Sequence, residues 1–104
     1  MSVVSVYAVF ADAEEAGRIG RQVVEEGLAA CINILGPCRS IYRWQGKVET
    51  AAEVAAILKT SDAVADRLIN RIAELHTYEV PAITIWPIDK LLSSYGDWVE
   101  ESVG

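Results

Sequence analysis

The sequence reads as an α+β fold. Specifically, it predicts a ferredoxin-like split β-α-β sandwich with an antiparallel sheet, an extended hairpin between the second and third strands, and a short C-terminal helix. Two observations predict it. Apolar runs with strand character alternate with two amphipathic stretches in the order β-α-β-β-α-β. The length of 104 residues then fits one domain, residues 1–104. A third observation shapes it: 52% of the residues are hydrophobic and three are tryptophan, a large apolar load for so short a chain. Helices on one face of a sheet leave the other face open, so part of that load is expected to meet another subunit.

The elements follow in order. Val3 to Phe10 is an apolar, β-rich strand. Asp12 opens a helix over about residues 13–26, with Glu15 three residues on in a capping-box arrangement. Ala16, Ile19, Gly20, Val23 and Val24 recur on one face, and Gly27 terminates the helix. Leu28 to Leu35 reads as a strand, interrupted at Gly36-Pro37 by a bulge or bend and resumed from Ser40 to Trp44. Gln45-Gly46-Lys47 makes a tight turn into a strand from Val48 to Lys59. That strand is apolar on both faces in its middle, which suits a central position. Thr60 or Ser61 caps a second helix, whose stripe is Val64, Leu68, Ile72 and Leu75. Val80 to Trp86 is a fourth strand with Pro81 near its start, Asp89 to Leu92 a single helical turn, and Ser94 to Val103 a terminal helix.

Composition excludes several functions. One histidine and two cysteines cannot make a four-ligand Cys/His zinc site within one chain. A net charge of −6 argues against nucleic-acid binding. No apolar run approaches the roughly 20 residues that span a bilayer, and Met1 to Tyr7 lacks the basic and apolar regions of a signal peptide. The expectation is a cytoplasmic chain with reduced thiols. No phosphate-loop, dinucleotide, zincin or nucleophile-elbow motif occurs, and one histidine places no nucleophile–base pair, so no enzyme is expected.

The residues left for chemistry are few. His76, beside Tyr78 and Glu79, reads either as a metal ligand or proton donor, or as a histidine satisfying carbonyls at a helix end. Cys31 sits in an apolar strand, where a thiol is usually core but, facing a cleft, is a soft ligand for Cu(I). Arg39, Arg43, Lys47 and Lys59 place cations along the hairpin, near the acids Glu49 and Glu53. Tyr42, Trp44, Trp86 and Trp98 suit a core, an interface or a cavity wall. The acids Asp12, Glu14 and Glu15 read as helix-start residues.

Ser40-Ile41-Tyr42-Arg43-Trp44-Gln45-Gly46-Lys47-Val48-Glu49 resembles an S-x-Y-x-W-x-G-K-x-E signature. Gly27 to Ile34, Glu53 to Thr60, His76-Thr77-Tyr78-Glu79-Val80-Pro81, and Tyr95 with Trp98 resemble the other segments of the same family in the same order. The chain is thereby similar to the CutA family, the divalent-cation tolerance proteins. The resemblance implies a tight homotrimer whose long strands associate across subunits. It also implies a response to metal ions, with copper or another divalent metal as the expected ion. His76, Cys31 and Glu79 are the candidate ligands. Of the family's proposed copper ligands only His76 is present: Phe10 stands at the first-strand cysteine position, Leu75 at the adjacent histidine and Thr77 at the usual proline. The other reading is a small-ligand signalling or regulatory trimer. Its cleft between subunits would be walled by Tyr42, Trp44 and Tyr78, with Lys59 and His76 receiving an anion.

Overall fold

A computed structural model describes residues 2–104. Strand β1 (Val3–Phe10) is followed by helix α1 (Ala13–Glu25), strands β2 (Cys31–Trp44) and β3 (Lys47–Ser61), helix α2 (Asp62–Leu75), strand β4 (Ile83–Pro87) and helix α3 (Ser93–Ser102). The four strands form one antiparallel sheet in the order β2-β3-β1-β4. This is the split β-α-β arrangement the pattern predicts, with β3 central.

Alternation builds the main core. Val6, Ala8 and Phe10 of β1 and Val54, Ala56 and Leu58 of β3 turn one face of the sheet toward the helices. There they meet Ala16, Ile19 and Val23 of α1 and Leu68 and Ile72 of α2. Gly20 lets α1 approach β2: a Cβ at that position would lie 2.6 Å from Ile32 Cδ1. On the other face α3 covers one end only, where Val99 packs with Val3 and Ala30 against Ile88, Tyr95 and Val103.

Three boundaries differ from the sequence reading, each for a local reason, and the expected interruption at Gly36 takes one of its two expected forms. The strand expected from Leu28 begins at Cys31, because Gly27 adopts φ 74° and Val23 O draws the N–H groups of Leu28 and Ala29 back to the helix end. The interruption at Gly36 is a bulge, with φ 110° at the glycine and a register shift after Ile34. The last strand starts at Ile83, not Val80; Pro81 has no N–H to pair, and Ala82 O accepts from Val9 N–H before the ladder begins. Asp89 to Leu92 forms no helical turn; Leu92 instead supplies the carbonyl that begins α3, bonding Gly96 N–H at 3.0 Å.

The long hairpin is the main departure from a plain sandwich. β1 ends at Phe10 opposite Val54, yet β3 and β2 continue as a pair through Glu53–Cys38 to Lys47–Trp44. Gln45 and Gly46, with φ 50° and 81°, turn the chain at the tip. This two-stranded arm stretches the molecule to 44 Å against 26 and 22 Å in the other directions.

Candidate functional site

The polar groups that converge do so where the arm leaves the sheet. Asp12 Oδ1 accepts the Glu15 N–H at 2.8 Å, which seats Glu15 in the first turn of α1. The Glu15 side chain is almost wholly buried. Its Oε1 accepts the Ala11 N–H at 2.8 Å and its Oε2 the Thr77 N–H at 2.9 Å. Burial alone would raise the Glu15 pKa. The hydrogen bonds from Ala11 and Thr77 outweigh it and hold the carboxyl below its ordinary 4.5.

His76 follows directly on α2 and is 8% exposed. Nε2 lies 2.8 Å from Val9 O, and Nδ1 lies 3.0 Å from the Tyr78 N–H. The ring stacks on Phe10, with centroids 5.4 Å apart, and meets Tyr78 at 4.7 Å. Tyr78 then reaches out to the arm, its hydroxyl donating to Glu53 Oε2 at 2.7 Å. Burial, and next the acceptor Glu53, push the Tyr78 phenol well above its ordinary value. Tyr42, paired with Glu49, lies four rungs up the arm from Glu53, and Trp44, opposite Lys47, is the last β2 residue before the turn.

The other candidates lie elsewhere. Lys59 pairs with Cys31 on one side and Ser5 on the other, six positions along β3 from Glu53. That is roughly 20 Å at strand rise, so Lys59 does not share a site with Tyr78 in the same chain. Cys31 Sγ lies 3.6 Å from Tyr95 OH, under α3. Burial, and then the thiol, push the Tyr95 phenol up to about 12. Cys31 is level with Ser5 and His76 with Val9, which separates the two by roughly 13 Å along β1. Glu79 is exposed beyond Tyr78. Trp86 is exposed and stacks on Tyr7 at 4.9 Å.

Two residues of this cluster are not read as site residues from the sequence. Glu15 does start its helix, but its second oxygen serves Thr77, 62 positions away. Glu53 looked like a partner for the hairpin cations and is instead buried against Tyr78. An acid interrupting an apolar strand was the available signal; nothing local named its partner.

The family model for the CutA1 divalent ion tolerance protein matches residues 4–102. The chain belongs to the CutA family. The divalent-cation tolerance protein CutA of Pyrococcus horikoshii is 40% identical over 99 residues, covering 95% of this chain and 96% of that protein. The CutA of Archaeoglobus fulgidus is 37% identical over 98 residues, covering 94% and 95%. Among solved structures, the CutA1 of Thermus thermophilus superposes with a TM-score of 0.94 at 38% identity, over 98% of this chain and 99% of that one. CutA of Xylella fastidiosa superposes at 0.96 with 32% identity over the full length of both.

CutA membership raises the question of a divalent ion, and the donors of one chain do not fit a centre for it. A metal needs its ligands within about 2–2.5 Å. Cys31 and His76 are far apart, and both ring nitrogens of His76 face backbone groups. Among the described residues no three His, Cys, Asp or Glu side chains gather as a ligand set.

Proposed function

We propose that this CutA chain serves divalent-cation tolerance as a homotrimer, and that its working site is a cleft between subunits. The arm is the observation that supports assembly. From Cys38–Glu53 outward its strands pair only with each other, and Ile41 and Val48 stay 68% and 65% exposed. Each Å² of such apolar surface left in water forgoes about 25 cal/mol, and a closed ring of three copies covers it without an open edge. Sedimentation velocity at micromolar concentration is expected to give three times the 11.3 kDa chain mass. The double substitution Ile41→Asp, Val48→Asp is expected to shift that mass toward one chain with helical circular dichroism retained. A monomeric wild-type protein would refute the assembly.

The finer family expectation is copper, or another divalent ion, on Cys31, His76 and Glu79. The bond from Tyr78 to Glu53 favours the cleft instead, because it draws the residues after α2 onto the base of the arm, four rungs from Tyr42. Tyr42 and Tyr78 then supply walls; Trp44, paired with Lys47, is six rungs from Glu53 and roughly 20 Å along the arm, so a part for Trp44, like one for Lys59, requires that residue of another subunit. Calorimetric titration with Cu(II) separates the readings. Stoichiometric binding that persists unchanged in Tyr42→Ala and Trp44→Ala would overturn the cleft in favour of a metal centre.

A further inference from the structure

We propose that His76 is a backbone clasp that seats Tyr78 on Glu53, and that divalent-ion binding by this chain does not run through its one histidine. The inference goes beyond the cleft reading: it holds whether or not the arm assembles a trimer, and for a chain that binds an ion elsewhere as for one that binds none.

The partners of the ring fix its tautomer. Each imidazole nitrogen has one in-plane direction for a proton, a hydrogen bond or a metal. Val9 O, 2.8 Å from Nε2, is a carbonyl and can only accept. Tyr78 N–H, 3.0 Å from Nδ1, is an amide and can only donate. Nε2 therefore carries the proton and Nδ1 presents its lone pair. Neither role can be exchanged, because neither backbone partner can reverse.

A metal-bound histidine commonly donates its second N–H to a carbonyl, and the bond to Val9 has that form. The remaining nitrogen is then the one to examine. Nδ1 already spends its only lone pair on Tyr78 N–H, so an ion could reach it only by stripping that amide. The faces are closed as well. Phe10 stacks on the ring at 15° and Tyr78 tilts against it at 53°. The nearest carboxylate oxygen, Glu15 Oε1, is 3.8 Å from Nε2 and is already bonded to Ala11.

The same contacts give the ring a positioning role. His76 N–H bonds to Ile72 O at the end of α2, the ring reaches across to β1, and Nδ1 holds the amide of Tyr78. Glu15 takes the intervening Thr77 N–H. Three consecutive residues are thereby fixed, and the Tyr78 hydroxyl meets Glu53 at 2.7 Å.

The test is binding of Cu(II) and Zn(II) by the wild-type protein, His76→Asn and His76→Gln. Asparagine keeps an acceptor near Nδ1, and glutamine keeps a donor near Nε2. The three proteins are expected to bind each ion within about threefold of one another, or all to fail alike. A loss of about tenfold or more in both variants, with circular dichroism intact, would overturn the inference. If the variants do not fold, the wild-type ring decides. Long-range nitrogen–proton correlation spectra are expected to show the Nε2–H tautomer, unmoved by Zn(II); a Zn(II)-dependent shift at Nδ1 would overturn it. Seating is read from a double-mutant cycle between His76→Gln, which gives up the Nδ1 acceptor, and Tyr78→Phe. Coupling of about threefold or more in the unfolding constant is expected, and strict additivity would refute the seating role.

Discussion

Glu15→Gln tests the cluster at its most buried point. Glu15 is 4% exposed, and its two oxygens each accept a backbone N–H, from Ala11 at 2.8 Å and Thr77 at 2.9 Å. Glutamine offers one oxygen and one amide donor, so one N–H is left facing another donor. Stranding a buried N–H and losing a charge-assisted bond each cost about 1–3 kcal/mol. Arg18, half-exposed at 3.9 Å, adds little. The expected loss is about 2–6 kcal/mol, read from urea unfolding at pH 7 and fixed chain concentration. The pH dependence follows from the direction of the shift. A carboxyl held below 4.5 when folded contributes its full stability above that value and loses it as pH falls through the lower, folded pKa. The gap between wild type and variant therefore closes in acid below about pH 4.5. A gap under about 0.5 kcal/mol at pH 7, or one that widens in acid, would refute the reasoning.

Tyr78→Phe takes from the buried Glu53 carboxylate the hydroxyl that donates to it and is expected to cost about 1–3 kcal/mol in the same assay. An unchanged urea midpoint would mean that the bond contributes nothing. Gly20→Ala drives a methyl to 2.6 Å of Ile32 Cδ1 and 3.0 Å of its Cγ2. The expected net loss is about 1 kcal/mol after the gain in helix propensity, partly restored by adding Ile32→Val. Leu68→Ala opens the fully buried space between α2 and the sheet, at an expected cost of about 2–5 kcal/mol. A loss below about 1 kcal/mol would show that the layer closes over the gap.

What was legible in the sequence was local. Alternation through Val6, Ala8 and Phe10 needs no partner to be recognised, nor does the stripe Val64, Leu68 and Ile72. The Asp12 cap and the Gly36 bulge are written in three or four neighbouring residues. One error came from a local signal that another group overrode. Leu28 to Ala30 is apolar enough for a strand, yet the carbonyl of Val23 captures two of its N–H groups. Of the two expected caps for α2, Ser61 takes the position, while the Thr60 hydroxyl bonds Leu28 O at 2.8 Å. The site was harder because its bonds join distant residues: Tyr78 to Glu53 across 25 positions and His76 to Val9 across 67. Sequence spacing showed that His76, Tyr78 and Glu79 were neighbours. It could not show which atoms of the ring were already spent.

The segment after α2 joins two parts of the molecule with different demands. At His76 and Thr77 it is fixed to β1 and α1, inside the layer that buries Phe10, Ile19 and Leu68. At Tyr78 it touches β3 one residue beyond the last rung of β1, where the arm has lost the support of the sheet. The arm is held there by its own ladder and by this hydroxyl. A force on the arm would meet the Tyr78–Glu53 bond before it met the core. Packed cores yield in discrete steps rather than continuously, and the bonds of His76 and Thr77 tie Tyr78 to the core side of that junction. A metal centre at His76 would require breaking those bonds; the proposed cleft at the arm base would leave them in place.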